Sequence, residues 1–293
     1  MAIQGGLGNQ LSQWYYAHAI SGQSKFRIDP LYKMTDVGLR NFELQPLIEN
    51  CPHLQHEFGH DFLSSATKCH YRVLDSLWEY KTLRRFVEKL GYFREDPRVD
   101  QDQSIKGSKT IRYAKGYFQK QSEIEKIFEI VEKELVPVLQ STLAAFEKRI
   151  NLGSNYTVLH VRRGDYAAAE FTPAIIGTLS DEYYSRGLEE METSNLILLT
   201  ENREDVTDLV NILNPRMVLD KFDTTPWETL AIMYGASQLL GANSSLSWWG
   251  ARLCSANGGK IWLPSQWSYW KNIDPMDYHF HGANIANASW VQG

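Results

Sequence analysis

Beyond about residue 151 the chain alternates short apolar segments with longer amphipathic ones, and this alternation constrains the fold more than any other feature. The short segments have the composition of buried strands, and the longer ones carry apolar residues at helical spacing. Strands that alternate with helices form a parallel sheet with right-handed crossovers. We predict an α/β domain with strands at 156–161, 196–200, 216–219, 238–242 and 260–263 and helices at 181–192, 203–213, 226–237 and 245–256.

The first of these strands ends in side chains suited to holding an anion. His160 is followed by Arg162, Arg163, Gly164 and Asp165. Guanidinium groups match phosphate oxygens with paired hydrogen bonds and stay charged at physiological pH. Gly164 permits a sharp turn, and Asp165 can fix an arginine or accept a ligand hydroxyl. Because open α/β sheets bind ligands at the carboxyl ends of their strands, the pattern predicts a phosphate site. A surface salt-bridge patch and an adhesive Arg-Gly-Asp tripeptide are the alternatives.

A second strand end meets a hydroxyl-rich helix start. Backbone N–H groups and the helix dipole make such a start a ready anion site, to which serine hydroxyls would add donors. The alternative is a serine cap followed by two core tryptophans. Both strand ends would lie on one edge of the same sheet, so they reinforce each other. The residues concerned are Asn243, Ser244, Ser245, Leu246 and Ser247.

A glycine-rich turn near the N-terminus connects a short strand, Ala2 to Gln4, to a helix expected from about Leu11 to Ile20. The turn, Gly5-Gly6-Leu7-Gly8-Asn9-Gln10, lacks the third glycine of a dinucleotide fingerprint. Glycines such as Gly8 let the backbone approach a ligand closely. Asn9 is a candidate both for a helix cap and for a ligand contact.

We expect two domains and a tail. Helical spacing runs from Glu123 to Ile150, with Pro137 starting a second helix, so a boundary is expected near residue 151. The domains are predicted at 1–150 and at 151–275. The tail, 276–293, should pack back on the fold; the region after Pro264 is rich in Trp and Tyr, shows little periodicity and is expected to wrap over a neighbouring domain.

Composition excludes several classes of protein. A net charge of -5 and a pI near 5.9 argue against general nucleic-acid binding. Three cysteines without a CxxC pair suggest neither a disulfide framework nor a zinc site. The sequence shows neither a membrane-spanning apolar run nor a signal peptide, so we expect a soluble, cytoplasmic protein without stable membrane insertion, and leave peripheral association open.

No metal site is predicted. Asp100-Gln101-Asp102 matches the DxD of some glycosyltransferases, but no apolar strand leads into it, and solvated charge is the expected role. His53, His56 and His60 lack cysteine or HExxH context and are expected at the surface.

Three blocks, GGLGNQLSQ at 5–13, HVRRGDY at 160–166 and NSSLSWWGARL at 243–253, together resemble the α-1,2-fucosyltransferases of glycosyltransferase family 11. The resemblance implies an inverting, metal-independent enzyme of GT-B architecture, with two Rossmann-like domains facing across a cleft. It places the domain at 1–150 on the acceptor side and implies that the domain at 151–275 binds the nucleotide. It also implies GDP-β-L-fucose as donor, no required cofactor, and the 2-hydroxyl of a terminal β-galactoside as acceptor.

The resemblance also assigns roles to individual residues. Arg162 would bind the donor diphosphate, with Arg163 and Asp165 shaping the pocket, and His160 would lie at the nucleoside. The segment Asn243–Ser247 would complete the phosphate cradle, and Asn9 would face the fucose or acceptor. Asp165 is also the nearest candidate for a general base, although a tie to an arginine suits it equally. Glu201, in Thr200-Glu201-Asn202 where the family often has Ser-Asp-Asp, is a candidate nucleotide contact.

Two other functions remain open. A non-catalytic sugar-nucleotide or glycan-binding protein could use the 9 tryptophans for stacking, but a lectin needs no pair of phosphate-binding arginines. A protein O-fucosyltransferase mostly works where disulfides form, which the unpaired cysteines do not suggest.

Overall fold

The computed structural model describes residues 2–21, 27–30, 41–50, 57–58, 73–74, 76–78, 80–89, 92–94, 113–164, 177–193, 195–268 and 277–291. The chain divides into two compact units, Met1–Gln119 and Lys120–Gly293. Among the described residues, no helix is long and apolar enough to cross a membrane. Asp165, Asp100, Asp102 and the three histidines between positions 53 and 60 lie outside the described residues.

The N-terminal unit contains short parallel strands and several helices within its described ranges. The strands β1, β2 and β3 form one parallel sheet, and β4 pairs with β5 in another. The elements are β1 (Ala2–Ile3), α1 (Leu7–Ser21), β2 (Arg27–Pro30), α2 (Gln45–Asn50), β3 (Glu57–Phe58), α3 (Lys81–Lys89), β4 (Tyr92–Arg94) and β5 (Tyr113–Lys115).

The C-terminal unit is built on a six-stranded parallel sheet whose order is β11-β10-β9-β6-β7-β8. Its helices follow the strands as the alternation predicts. The elements are α4 (Gln121–Glu125), α5 (Phe128–Glu147), β6 (Thr157–His160), α6 (Asp181–Glu189), β7 (Leu196–Leu199), a 3-10 turn (Arg203–Val206), α7 (Thr207–Leu213), β8 (Met217–Leu219), α8 (Pro226–Gly235), β9 (Gln238–Leu240), α9 (Ser245–Ala256), β10 (Lys260–Pro264) and β11 (Ala283–Ala286).

The first helix begins earlier than the sequence predicts. It starts at Leu7, so the glycine-rich segment forms its first turn, and Asn9 lies inside the helix instead of capping it. The carbonyl of Gly6 accepts the first helical hydrogen bond, from the N–H of Gln10, at 3.1 Å. With this early start, one face of the helix carries three buried apolar side chains, those of Leu7, Leu11 and Trp14.

The prediction that Pro137 starts a helix is wrong, because Pro137 lies within α5. The helix continues through it because buried residues on both sides, Leu135, Val138 and Leu139, hold the two halves in one packed element against α8. This packing also places α5 in the C-terminal unit. The division into units therefore falls before the helical segment, at 119/120, whereas the sequence analysis sets the boundary after it.

The C-terminal tail adds the sixth strand to the sheet. β11 pairs in parallel with β10, from Ile261 opposite Ala283 to Pro264 opposite Ala286. Beyond it, Trp290 forms an antiparallel bridge with Leu179. The sequence gives little sign of this strand, because Asn284 and Ile285 are exposed at the sheet edge and leave no apolar alternation.

A buried glycine of α6 provides a test of the packing between that helix and the sheet. A methyl group at Gly187 would lie 2.6 Å from Cδ2 of the fully buried Leu240 on β9. Alanine favours the helix by about 1 kcal/mol, but overpacking a core costs about 1–3 kcal/mol. We expect Gly187→Ala to lower the free energy of unfolding by about 1 kcal/mol in urea denaturation.

The same substitution in a Leu240→Ala background should have the opposite sign, because the methyl group then has space and the helix preference remains. A destabilisation of equal size in both backgrounds would contradict the packing described.

Candidate active site

The strand order places a topological switch point at β6. From β6 the chain proceeds to β7 and β8 on one side, and β9, β10 and β11 lie on the other. Ligands of open α/β sheets bind beyond the carboxyl ends of the strands at such a point. Leu159 pairs with Leu240, so Arg162 and Asn243, each three residues further on, leave the sheet at matching heights. The predicted anion-binding segments therefore flank the switch point.

Arg162 forms an ion pair with Glu201, which follows the neighbouring strand β7. The guanidinium Nη1 lies 3.0 Å from Oε2 of Glu201, and both side chains are about four-fifths buried. The pairing follows from register, since His160 is opposite Leu199 and each charged residue lies two positions beyond. A methyl group at Gly164 would overlap the same carboxylate, so a larger residue at this position would displace the Glu201 side chain.

Arg163 is anchored to the protein. Its Nη2 contacts the carboxylate of Asp181 in the first turn of α6, and its Nη1 donates to the carbonyl of Asp205 at 2.8 Å. These contacts join three segments of the unit. Of the two adjacent arginines, Arg163 therefore holds the end of β6 to α6 and to the segment at Asp205.

His160 is buried at the end of β6, with 5% of its surface exposed. Burial, followed by the positive charge of Arg162, lowers the pKa of His160 from 6.5 to about 3. The imidazole is therefore neutral at physiological pH. Its Nδ1 is buried and makes no hydrogen bond to the residues that the structure describes, so it can donate to or accept from a ligand.

The loop between β9 and α9 is fixed from three sides. The buried hydroxyl of Ser247 accepts a hydrogen bond from the N–H of Ala242 at 2.7 Å. The Asn243 side chain, fully buried, donates to the carbonyls of Gly177 and Trp267 at 3.1 and 3.3 Å. The Tyr183 hydroxyl donates to the carbonyl of Gly241 at 2.7 Å. Ser247 and Asn243 thus shape the loop with their side chains.

The start of α9 presents backbone donors beyond this rigid loop. Ser244 is the N-cap residue, but its side chain makes no capping hydrogen bond. Its carbonyl accepts from the N–H of Trp248 at 2.9 Å. The N–H groups of Ser245, Leu246 and Ser247 precede the first helical hydrogen bond and have no partner within the helix. Together with the dipole of this helix, they form a site suited to a phosphate oxygen.

Asn9 lies in the N-terminal unit, on the first turn of α1. Its Oδ1 accepts a hydrogen bond from the side chain of Gln119. Gly8, beside it, is buried. Gln10 has a structural role: its side-chain amide donates to the carbonyls of Gly5 and Asn41, each at 2.8 Å, and accepts from the N–H of Glu43 at 2.9 Å.

Three side chains that support these segments were not identified from the sequence, namely Gln119, Asp181 and Tyr183. Each lies far along the chain from the group it contacts, so no local spacing marks it. Asp181 is the partial exception, because an acidic residue opening a helix after a strand-end arginine is a plausible partner in an α/β unit. The described residues contain no cluster of three His, Cys, Asp or Glu side chains that could hold a metal ion.

The parallel sheet with anion-suited strand ends at its switch point is the arrangement in which open α/β sheets bind ligands. The model of glycosyl transferase family 11 matches residues 66–269, more than two thirds of the chain. The chain belongs to this family of fucosyltransferases, as the three sequence blocks predict. The predicted α/β fold class is also confirmed, because each of the two units contains parallel strands.

Solved structures resemble the chain distantly. The ADP-heptose lps heptosyltransferase II of E. coli is 11% identical, with 97% of this chain and 88% of that chain covered and a TM-score of 0.45. E. coli heptosyltransferase WaaC with ADP is 12% identical, with coverages of 98% and 92% and a TM-score of 0.46. POFUT1 in complex with GDP is 12% identical, with coverages of 86% and 92% and a TM-score of 0.40. No curated protein matches the chain.

Burial of neutral His160 predicts a pH-dependent stability. Between pH 6.5 and about 3 the unfolded state binds a proton at this residue that the folded state does not. The contribution of buried, neutral His160 to the free energy of unfolding is therefore fully present above pH 6.5, and it is lost as the pH falls through this range. From pH 7.5 to 5 the loss should be about 2 kcal/mol.

We expect His160→Gln to reduce the difference in free energy of unfolding between these two pH values by about 2 kcal/mol, measured by urea denaturation. His281→Gln, at an exposed position, is the control for removing a histidine. An unchanged pH dependence in His160→Gln would show that the imidazole is not buried in its neutral form.

Proposed function

We propose that this protein transfers L-fucose from GDP-β-L-fucose to the 2-hydroxyl of a terminal β-galactose, with inversion and without a metal ion. The observation that carries the proposal is the position of Arg162 and the α9 N-terminus on either side of the switch point, in a chain of glycosyl transferase family 11. The donor, acceptor and linkage come from the resemblance of the three sequence blocks.

The donor diphosphate is the part of the substrate that this edge of the sheet suits best. Arg162 supplies a permanent charge, and the first turn of α9 supplies aligned N–H donors. As the glycosidic bond breaks, negative charge accumulates on the departing GDP. Fixed donors aimed at this charge stabilise the transition state without reorganising, which is the electrostatic role that a metal ion has in other transferases.

Glu201 and Arg163 hold this arrangement in place. Glu201 balances the charge of Arg162 at 3.0 Å and keeps the guanidinium at the strand end. Arg163 is tied to α6 through Asp181. We propose that His160 lies at the nucleoside, where its neutral ring and buried Nδ1 suit a hydrogen bond to a base or ribose.

The acceptor hydroxyl would displace GDP from the fucosyl group through a loose, oxocarbenium-like transition state. We assign the fucose or acceptor contact to Asn9 of the N-terminal unit. Asp165 remains the candidate for a general base or for a structural tie to an arginine. The protein is proposed to act in the cytoplasm on a galactose-terminated oligosaccharide.

The proposed reaction is tested by incubating the purified protein with GDP-fucose and a panel of β-galactosides, then determining the linkage of any product by NMR. An α-1,2-linked fucosyl galactoside is expected. Transfer to a protein hydroxyl, or binding of GDP-fucose and glycans without turnover, would support one of the two alternative functions instead.

Replacement of Arg162 should abolish transfer. A diphosphate that loses its charged, two-pronged partner loses several kcal/mol of transition-state stabilisation, so we expect kcat/KM of Arg162→Ala to fall at least about a hundredfold. Arg162→Lys should not restore it, because an ammonium group cannot donate in the same planar geometry. Steady-state kinetics at saturating acceptor measure the loss.

Arg186→Ala is the matched control, since this arginine lies on the exposed surface of α6 and pairs only with Glu182 in the described structure. Turnover near that of the wild type in either Arg162 variant would exclude Arg162 from the phosphate site.

Activity should survive an excess of EDTA, because arginine and helix N–H groups meet the charge of the leaving group. The measurement compares initial rates with and without chelator. Complete loss in EDTA, with recovery on adding Mg²⁺ or Mn²⁺, would show that the reaction depends on a metal ion. Asp100 and Asp102 would then be the candidate ligands.

A further inference from the structure

Phe118 has a backbone conformation that is unfavourable for a bulky residue. Its φ is 50°, in the left-handed region, although its side chain is 3% exposed and stacks on Tyr16 with ring centroids 4.0 Å apart. Such a conformation persists only when the surroundings impose it, and it occurs preferentially at functional sites. The segment Gly116–Gln119 is therefore held in place for a reason other than local preference.

Two side chains of α1 hold this segment on either side of Phe118. Gln13 donates to the carbonyl of Gly116 at 2.8 Å, and Asn9 accepts from the Nε2 of Gln119. Gln13 is fully buried, whereas Asn9 and Gln119 both remain partly exposed. The strained segment thus brings a second carboxamide to Asn9.

One hydrogen bond joins the two carboxamides, and it uses the acceptor oxygen of Asn9 and the donor nitrogen of Gln119. Within the described ranges, the Nδ2 of Asn9 and the Oε1 of Gln119 make no other hydrogen bond. A pair of amides joined in this way presents one NH₂ group and one carbonyl, whichever direction the shared bond takes. A hydroxyl group needs one acceptor for its proton and a donor for its oxygen, so it fits this pair better than a carboxylate or an ammonium group does.

Gly6, at the start of the same helix, is not required to be glycine by the fold. Its φ is not positive, and a methyl group there would meet no atom of the described residues within 4 Å. Gly5 differs, because its φ is 80° and a methyl group would lie 2.4 Å from Nδ2 of Asn9. Gly6 occupies the N-cap position, at which serine is at least as favourable as glycine. The described part of the protein therefore neither fills the space beside Gly6 nor requires a glycine there.

We propose that Asn9, Gln119 and Gly6 form a subsite for a saccharide hydroxyl, in which the amide pair binds the hydroxyl and the sugar ring occupies the space at Gly6. The subsite rests on the proposed function, which supplies two sugars with suitable hydroxyls: the fucosyl group of the donor and the galactoside acceptor. Asn9 and Gln119 bind and orient the sugar.

Two variants test the subsite by independent routes. Gln119→Leu removes the carbonyl and the bond to Asn9 while keeping similar volume, and Gly6→Ser fills the open space with a residue that suits the N-cap. Gln45→Leu, at an exposed glutamine of the same unit that bonds Glu49, is the matched control. Thermal unfolding, GDP affinity by calorimetry and the KM for each substrate are measured for all of them.

We expect both variants to keep the thermal midpoint and GDP affinity of the wild type while the KM for one sugar substrate rises about tenfold, the effect of one lost hydrogen bond. A rise for the galactoside assigns the subsite to the acceptor, and a rise for GDP-fucose at constant GDP affinity assigns it to the fucosyl group. The control should match the wild type. Unchanged kinetics in both variants, or losses that follow the thermal midpoint, would overturn the proposal.

A second measurement does not depend on turnover. Saturation-transfer NMR with methyl β-galactoside and with L-fucose at millimolar concentrations reports saccharide binding directly. Binding to the wild type that both variants lose supports the subsite even if no fucose is transferred, in which case only the proposed reaction fails. Equal signals from the wild type and both variants, or no signal from the wild type, would overturn the subsite.

Discussion

The register of β6 with its two neighbours is the constraint on which the candidate site depends. Because β6 pairs in parallel with β7 on one side and β9 on the other, the residues that follow all three strands emerge at one edge of the sheet. Arg162 and Glu201 meet for this reason, and the loop leading into α9 emerges beside them. A shift of one residue would turn Arg162 towards the opposite face of the sheet and separate this pair.

The surrounding contacts convert this alignment into a rigid site. Arg163 ties the β6 strand end to α6, whose Tyr183 in turn holds the carbonyl of Gly241. The Ser247 hydroxyl closes the same loop onto Ala242. The result is an edge on which the donors are positioned before a ligand arrives. Such preorganisation lets fixed dipoles and charges stabilise developing charge at low cost.

The C-terminal sheet could be predicted from the sequence because its strands and helices each have a strong local pattern. The helix at Ser245–Ala256 begins and ends as predicted, and five strands lie at the predicted places within one or two residues. β11 could not be predicted, since its exposed edge carries no apolar alternation. Pro137 misled the helix prediction because tertiary packing outweighs the local cost of a proline. Gln119 and Asp181 could not be identified from the sequence, because only the fold brings them to Asn9 and Arg163.

The central claim is that a diphosphate binds between Arg162 and the first turn of α9. Hydrogen exchange followed by mass spectrometry, with and without saturating GDP, measures protection of the backbone N–H groups that this claim requires. The account predicts that GDP slows exchange in peptides covering Ser245–Ser247 and the end of β6. Unchanged exchange at Ser245, Leu246 and Ser247 in protein saturated with GDP would contradict it.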